Sequence, residues 1–232
     1  MKFKLNINKI INATLILLFP IECIGCNKED AYLCDKCFLT IPLHEKVEPF
    51  EHPLQYVDEI WTATDYQNNL VQTAIHHLKF RHIKELAQPL SRLLIEFYDN
   101  ATRPATDDSR FATRDLRYSI IPVPLNKKRL LERDFNQSEL IGKLFSDYFG
   151  FELLADAVKR TRNTPHQVGL NKKQRQTNLK DAFIITKPDL IKNENIILID
   201  DVVTTGSTLE EIAKALKENG AQRVMGLIAA KD

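Results

Sequence analysis

Residues 196–208 read IILIDDVVTTGST. Four apolar residues lead into an acidic pair, Asp200 and Asp201, and the next seven positions hold three threonines, a serine and one glycine. A run of this kind is a buried strand, and such a strand has no structural use for two adjacent carboxylates at its tip. Paired carboxylates suit a vicinal diol, whose two hydroxyls donate to them. The hydroxyl-rich segment that follows, Thr204 to Thr208, suits a phosphate. A helix is predicted to start there, and a helix N-terminus offers free N–H groups and partial positive charge. Gly206 lets the backbone approach closely. Ser207-x-x-Glu210 has the form of a capping box, which predicts that the helix begins at Thr208. Diol and phosphate on one small molecule describe a ribose 5-phosphate.

Two other nucleotide chemistries lack their signatures. The stretch IILIDD also resembles the metal-binding strand of a P-loop ATPase, yet no G-x-x-x-x-G-K-[ST] occurs in the chain. The dinucleotide fingerprint G-x-G-x-x-G is absent as well.

The other chemistry-bearing cluster is sulfur. Cys23-x-x-Cys26 and Cys34-x-x-Cys37 fall within fifteen residues, and they are the only cysteines in the sequence. Two such pairs fold four thiolates tetrahedrally around one zinc, each pair forming a knuckle, and Gly25 suits a tight turn in the first. Two disulfides would need an oxidising compartment that nothing else in the sequence supports. Redox-active CxxC normally involves one pair within a larger domain. Four thiolates close the shell, so the expected zinc is structural.

The elements around these residues read as α/β. A strand is expected over 59–66 and helices over 69–80 and 85–98, with Pro89 placing the start of the second later than its pattern suggests. Residues 99–117 are polar and read as a surface loop. A short strand over 119–125 ends in prolines, a helix follows over 136–149, and a strand-like run covers 151–160. Strands over 182–186, 196–201 and 223–230, with a helix between the last two, complete a parallel sheet flanked by helices. The 232 residues suffice for one medium domain and a small appendage, divided here as residues 1–52, the cysteine module with its linker, and 53–232. Net charge is +1, so no global field points to nucleic acid or membrane. At the N-terminus, Lys2, Lys4 and Lys9 precede an apolar run over 11–21. No small-x-small cleavage pattern follows, and the run is too short to span a bilayer. A short packed helix and a cytoplasmic location are expected, with no stable membrane insertion.

IILIDDVVTTGST resembles the phosphoribosylpyrophosphate (PRPP) signature of type I phosphoribosyltransferases. The resemblance implies that Asp200 and Asp201 hold the ribose hydroxyls at the catalytic centre. It gives Thr204, Thr205, Gly206, Ser207 and Thr208 to the 5-phosphate, with magnesium bridging ribose and pyrophosphate oxygens. The segments LLFPIECIGC, HLKF, IPVPLNKKRLLERDFNQSELI and RTRNTPHQVGLNKKQRQTNLKDAF, with the two CxxC pairs, are similar in kind and order to the ComF (competence protein F) family, over nearly all the chain. This implies a type I phosphoribosyltransferase fold behind an N-terminal double zinc ribbon-type module. It also implies a role in natural transformation, in DNA uptake or the handling of single-stranded DNA. Two departures stand out. Many relatives carry a further cysteine pair where this chain has HEKVEPFEH, with only His44 and His52 as possible ligands. Relatives usually have Arg-Gly-Phe-Asn-Gln where this chain has RDFNQ, so Asp134 must tolerate any positive φ the glycine adopts.

The basic segments take their meaning from this resemblance. Lys127, Lys128, Arg129 and Arg133 occupy the place of the pyrophosphate loop, and Lys127, Arg129 and Arg133 are the expected pyrophosphate ligands. From Ala157 to Lys180 there are seven Lys or Arg and no acidic residue. In type I transferases this is the place of a loop that closes over PRPP, whose transition state resembles an oxocarbenium ion that water would trap. Clustered cations also suit the phosphates of single-stranded DNA, although aromatics for base stacking are missing there. Two functions follow. One is a phosphoribosyltransferase of nucleoside-type chemistry, a glycosyltransferase acting on an unspecified nitrogenous acceptor. The other is a non-enzymatic adaptor that binds single-stranded DNA or competence proteins through its zinc module and basic loop.

Overall fold

In the computed structural model, which describes residues 20–47, 50, 54–103, 117–161 and 182–232, the apolar runs lie side by side. The strands are β1 (Glu59–Asp65), β2 (Tyr118–Pro122), β3 (Glu152–Leu153), β4 (Val158–Arg160), β5 (Phe183–Ile185), β6 (Asn195–Val203) and β7 (Arg223–Lys231). Five of them form one sheet in the order β1-β7-β6-β2-β3, every pair parallel. The helices are α1 (Asp35–Phe38), α2 (Asn69–Phe80), α3 (Ala87–Thr102), α4 (Lys127–Arg133), α5 (Gln137–Phe149) and α6 (Ser207–Glu218).

β6 lies at the centre, and alternation distributes its four buried leading residues between two cores. Ile197 and Ile199 pack with α2, α3 and α5, whereas Ile196 and Leu198 pack with α6 and with β4 and β5. This is the expected parallel sheet with cover on both faces. Three local differences have simple causes. The 151–160 run divides into β3, on the main sheet, and β4, which pairs antiparallel with β5 in a separate two-stranded ribbon. The strand expected over 119–125 stops at Pro122; the Val123 N–H still donates to Ile199 O at 2.9 Å, and Pro124 beyond it has no N–H to give. Pro89 does fall in the first turn of its helix, after a 3-10 turn at Lys84–Leu86.

The cysteine module is docked on the α2/α3 side. Phe38 and Ile41 belong to the same buried cluster as Trp61, Leu78 and Leu90. Arg92 of α3 lies 4.0 Å over the Phe38 ring and 2.5 Å from Asp35. Beyond the module, His44 N–H donates to Ala63 O at 2.9 Å and Thr64 Oγ1 donates to Pro42 O at 2.5 Å, so the chain runs beside β1. The expected N-terminal helix, His52, most of the 99–117 loop and most of the basic segment after Arg160 lie outside the described residues. Among the described residues, no helix is long and apolar enough to cross a membrane.

Candidate functional site

β2 pairs with β6 only as far as Ile199, opposite Pro122, while β6 continues along β7 to Val203, opposite Lys231. The chain leaves β2 outward toward β3 and leaves β6 in the other direction toward β7. The order of the sheet therefore reverses between these two strands, which is where an open α/β sheet leaves a crevice beyond its carboxyl ends. A cleft of about 340 Å³ opens there.

The acidic pair forms its floor, and the two residues differ. Asp200 Oδ1 accepts from Ser138 Oγ at 2.7 Å and from the Asp201 N–H at 2.9 Å. Burial, then the neighbouring Asp201 charge, pushes the Asp200 carboxyl up to about 7, against the pull of Ser138 and Lys79. Asp201 is only 2% exposed, and Lys79 Nζ lies 2.8 Å from its Oδ2. Lys79 arrives on the last turn of α2. Asn68 starts that helix by accepting from the Leu70 and Val71 N–H groups, and Val71, Ala74, Ile75 and Leu78 bury its opposite stripe.

The hydroxyl loop forms one wall. Gly206 has φ +72, which favours glycine, and a Cβ on it would also stand tightly at 3.1 Å from Phe50 and 3.2 Å from Ile60. Thr205 and Ser207 share a hydrogen bond between hydroxyls at 2.8 Å. The capping box does not form. α6 begins at Ser207, one residue earlier than expected, with Gly206 as its N-cap and no side-chain cap. The Glu210 carboxylate instead accepts from the N–H groups of Gln55, Tyr56 and Val57, at 2.6 to 3.1 Å. No side chain caps the start of the helix, so its first N–H groups are left for an anion.

Cations form the other wall. Asn126 starts α4 by accepting from the Arg129 N–H at 2.8 Å, and Asp134 ends it at φ 62, the positive value expected of the glycine position. Arg129 and Arg133, one turn apart, both line the cleft. Arg133 is 7% exposed and donates to Gln137 Oε1 at 2.9 Å. Burial pulls its guanidinium below the ordinary value, opposed by Asp201, but an arginine stays charged. Lys127 is exposed and does not line the cleft. Arg160, at the end of β4, does. Lys79, Arg129, Arg133 and Arg160 thus face two carboxylates, and a cleft so lined attracts anions. Sequence reasoning missed Lys79 and Ser138 as parts of this site, and reached Arg160 only as one cation of the basic 157–180 segment. Lys79 lies in HLKF, which the family pattern marked without a role.

The four cysteine sulfurs lie within 4.8 Å of one another, and Cys26 and Cys34 are 3.6 Å apart. A tetrahedral ion with bonds of about 2.3 Å places its sulfurs about 3.8 Å apart, so the set fits a metal of zinc's size and softness. Burial would raise the Cys23 thiol, but N–H groups of Cys34, Gly25 and Cys26 outweigh it and bring it to about 6. The hydrogen bond to Cys26 pushes Cys37 up to about 12. Among the described residues the group contains no histidine. His44 is held on β1 instead, by Thr62 O at 2.9 Å and Asp65 Oδ1 at 3.2 Å. Gly25 lies in the expected turn, closed by the Asn27 N–H on Cys23 O at 2.9 Å. Its φ is not positive, but a Cβ there would come within 2.8 Å of Cys37 Sγ and of Leu70. The left-handed positions of the first knuckle are Asn27 and Asp30.

Comparison with known proteins agrees with this layout. Residues 142–230 match the family model described as Phosphoribosyl transferase domain, a span that holds β6, the hydroxyl loop, α6 and most of β7. The DNA utilization protein YhgH of Shigella flexneri is 37% identical over 205 residues, covering 87% of this chain and 85% of that protein. Competence protein F of Haemophilus influenzae is 32% identical over 213 residues, covering 89% and 82%. Competence protein ComFC of Bacillus subtilis is 33% identical over 111 residues, covering 46% and 41%.

Proposed function

Because the chain belongs to the competence protein F family and its C-terminal part is a phosphoribosyl transferase domain, we propose that its cleft binds PRPP with magnesium. There it transfers the phosphoribosyl group to a nitrogenous acceptor. The observation that carries this reading is the placement of Asp200, Asp201 and the 204–208 loop in one cleft, at the sheet's reversal point, opposite Arg129 and Arg133. The names of the relatives connect the reaction to DNA utilization and competence, and the proposed location is the cytoplasm.

Each part of PRPP has a counterpart. The ribose hydroxyls donate to Asp200 and Asp201. The 5-phosphate takes the hydroxyls of Thr204, Thr205, Ser207 and Thr208 and the N-terminal N–H groups of α6, with Gly206 allowing the approach. Arg129 and Arg133 meet the pyrophosphate, with Lys127 contributing charge from outside. In the transfer, the bond between C1 of ribose and the pyrophosphate oxygen breaks, and its electron pair leaves with pyrophosphate. The lone pair of the acceptor nitrogen forms the new C1–N bond, and the proton on that nitrogen is released. Buried Arg133 and half-buried Arg129 stabilise the charge that develops on the leaving oxygen. The two carboxylates are hard oxygen donors of the kind magnesium takes. When bound with PRPP, the ion supplies further neutralisation of the leaving group. The same reading gives the four cysteines a structural zinc.

The test incubates purified protein with PRPP, magnesium and a mixture of nitrogenous bases and looks for a new nucleotide by mass. PRPP or ribose 5-phosphate with magnesium should also raise the melting temperature, as any ligand of the folded state does. Replacing both Asp200 and Asp201 by alanine should abolish that shift. An adaptor would instead bind single-stranded DNA with a steep salt dependence and show no turnover. That result, with no PRPP-dependent shift, would reject the enzyme.

A further inference from the structure

The reading of the cleft as a PRPP site leaves the acceptor without a place, and its rim supplies one. We propose that Phe80, backed by Arg133, is the platform on which a planar nitrogen heterocycle stacks to meet the ribose. This inference rests on the reading above.

α2 ends at the cleft. Leu78 is fully buried, Lys79 reaches Asp201, and the next side chain, Phe80, is 61% exposed. This phenyl ring, on the exposed side of a half-buried helix, stands in water beside two residues that line the cleft, Lys79 and Arg133. The ring is also held in place. The His76 imidazole, one turn earlier, lies 4.8 Å from it, and the Arg133 guanidinium lies 5.4 Å from its centroid. Arg133 is the connection that matters, because it is buried, lines the cleft and faces the acidic pair.

The chemistry of the lining selects the occupant. Among the described residues the cleft is lined by charged, hydroxyl, amide and aliphatic side chains, with no aromatic. Those groups suit ribose, phosphate and pyrophosphate. They offer no flat apolar surface to a ring whose faces must be desolvated before its nitrogen can attack. Phe80 offers one at the rim, and the neighbouring guanidinium adds a cation to the stack. Every nucleobase has such a face, whether free or unpaired in a single strand, and stacking accepts all of them.

The experiment uses 2-aminopurine, whose fluorescence is quenched by stacking, as the free base and within a short single-stranded oligonucleotide. Each is added to full-length protein loaded with ribose 5-phosphate and magnesium, which hold the cleft without turnover. At least one form should be quenched, which also tells free base from nucleic acid as the source. Phe80→Ala should weaken that binding about tenfold or more, while leaving the ribose 5-phosphate melting shift unchanged. Phe80→Tyr should restore it. Quenching of neither form, or equal binding by Phe80→Ala, would overturn the platform while leaving the cleft reading intact. Absence of the ribose 5-phosphate shift in the unaltered protein would overturn both.

Discussion

Asp200 and Asp201 are neighbours in sequence with opposite electrostatic fates. Asp201 has Lys79 beside it, whereas Asp200 has a hydroxyl, an amide and the charge of Asp201. Its folded pKa, raised from 3.8 to about 7, means that the folded protein keeps a proton that the unfolded chain loses. Stability is then undiminished below about pH 4, falls as pH rises toward 7, and stays at the lower level above. Asp200→Asn removes the charge and keeps an oxygen for Ser138 and for the Asp201 N–H. It should be more stable than the parent at pH 8, on the order of 1–2 kcal/mol, and equal to it near pH 4. Urea midpoints at the two pH values measure this, and equal midpoints at pH 8 would refute the assignment. The pair was legible in the sequence because both acids, Gly206 and the hydroxyls are contiguous. Lys79 and Ser138 were not, because α2 and α5 bring them from distant parts of the chain and only the strand order unites them.

At the scale of elements, α6 shows how a local pattern is overridden. Ser207-x-x-Glu210 reads as a cap, but the Glu210 carboxylate finds three N–H groups in residues 55–57, and three charge-assisted bonds prevail over one. Glu210 is therefore a clamp between α6 and the chain entering β1. Glu210→Ala should cost on the order of 2–3 kcal/mol by thermal or urea denaturation. The loss should be accompanied by faster amide exchange at Gln55, Tyr56 and Val57, while the α6 amides stay protected. Lost stability with unchanged exchange at those three would mean the clamp is misidentified. Strongly periodic elements such as α2 were legible to the residue. The β4–β5 ribbon was not, because a three-residue strand carries no periodicity that tells a main sheet from a separate one.

At the scale of the whole molecule, the cysteine module and the transferase fold are joined by packing as well as by the chain. Phe38, one residue after Cys37, is 3% exposed within the core that α2 and α3 share. Its position depends on the knuckles that precede it, so a metal bound by the four cysteines would be coupled to the core. Metal analysis should find about one zinc per chain. Stripping it with a chelator, or Cys34→Ser, should lower the melting temperature of the body along with the module, in one transition. An unchanged melting temperature after removal would mean the sulfurs hold no structural ion. The sheet itself has one further consequence. β6 is an interior strand as far as Ile199 and then, for four residues, an edge on the side that β2 has left. An edge on the outside of a sheet invites another chain to add to it and risks aggregation. This one lies recessed inside a cleft of about 340 Å³, guarded by two carboxylates, where no strand can follow. The architecture thus works as a size filter: the part of β6 that β2 has left, its Asp201 N–H already held by the Asp200 carboxylate, faces only molecules small enough to enter.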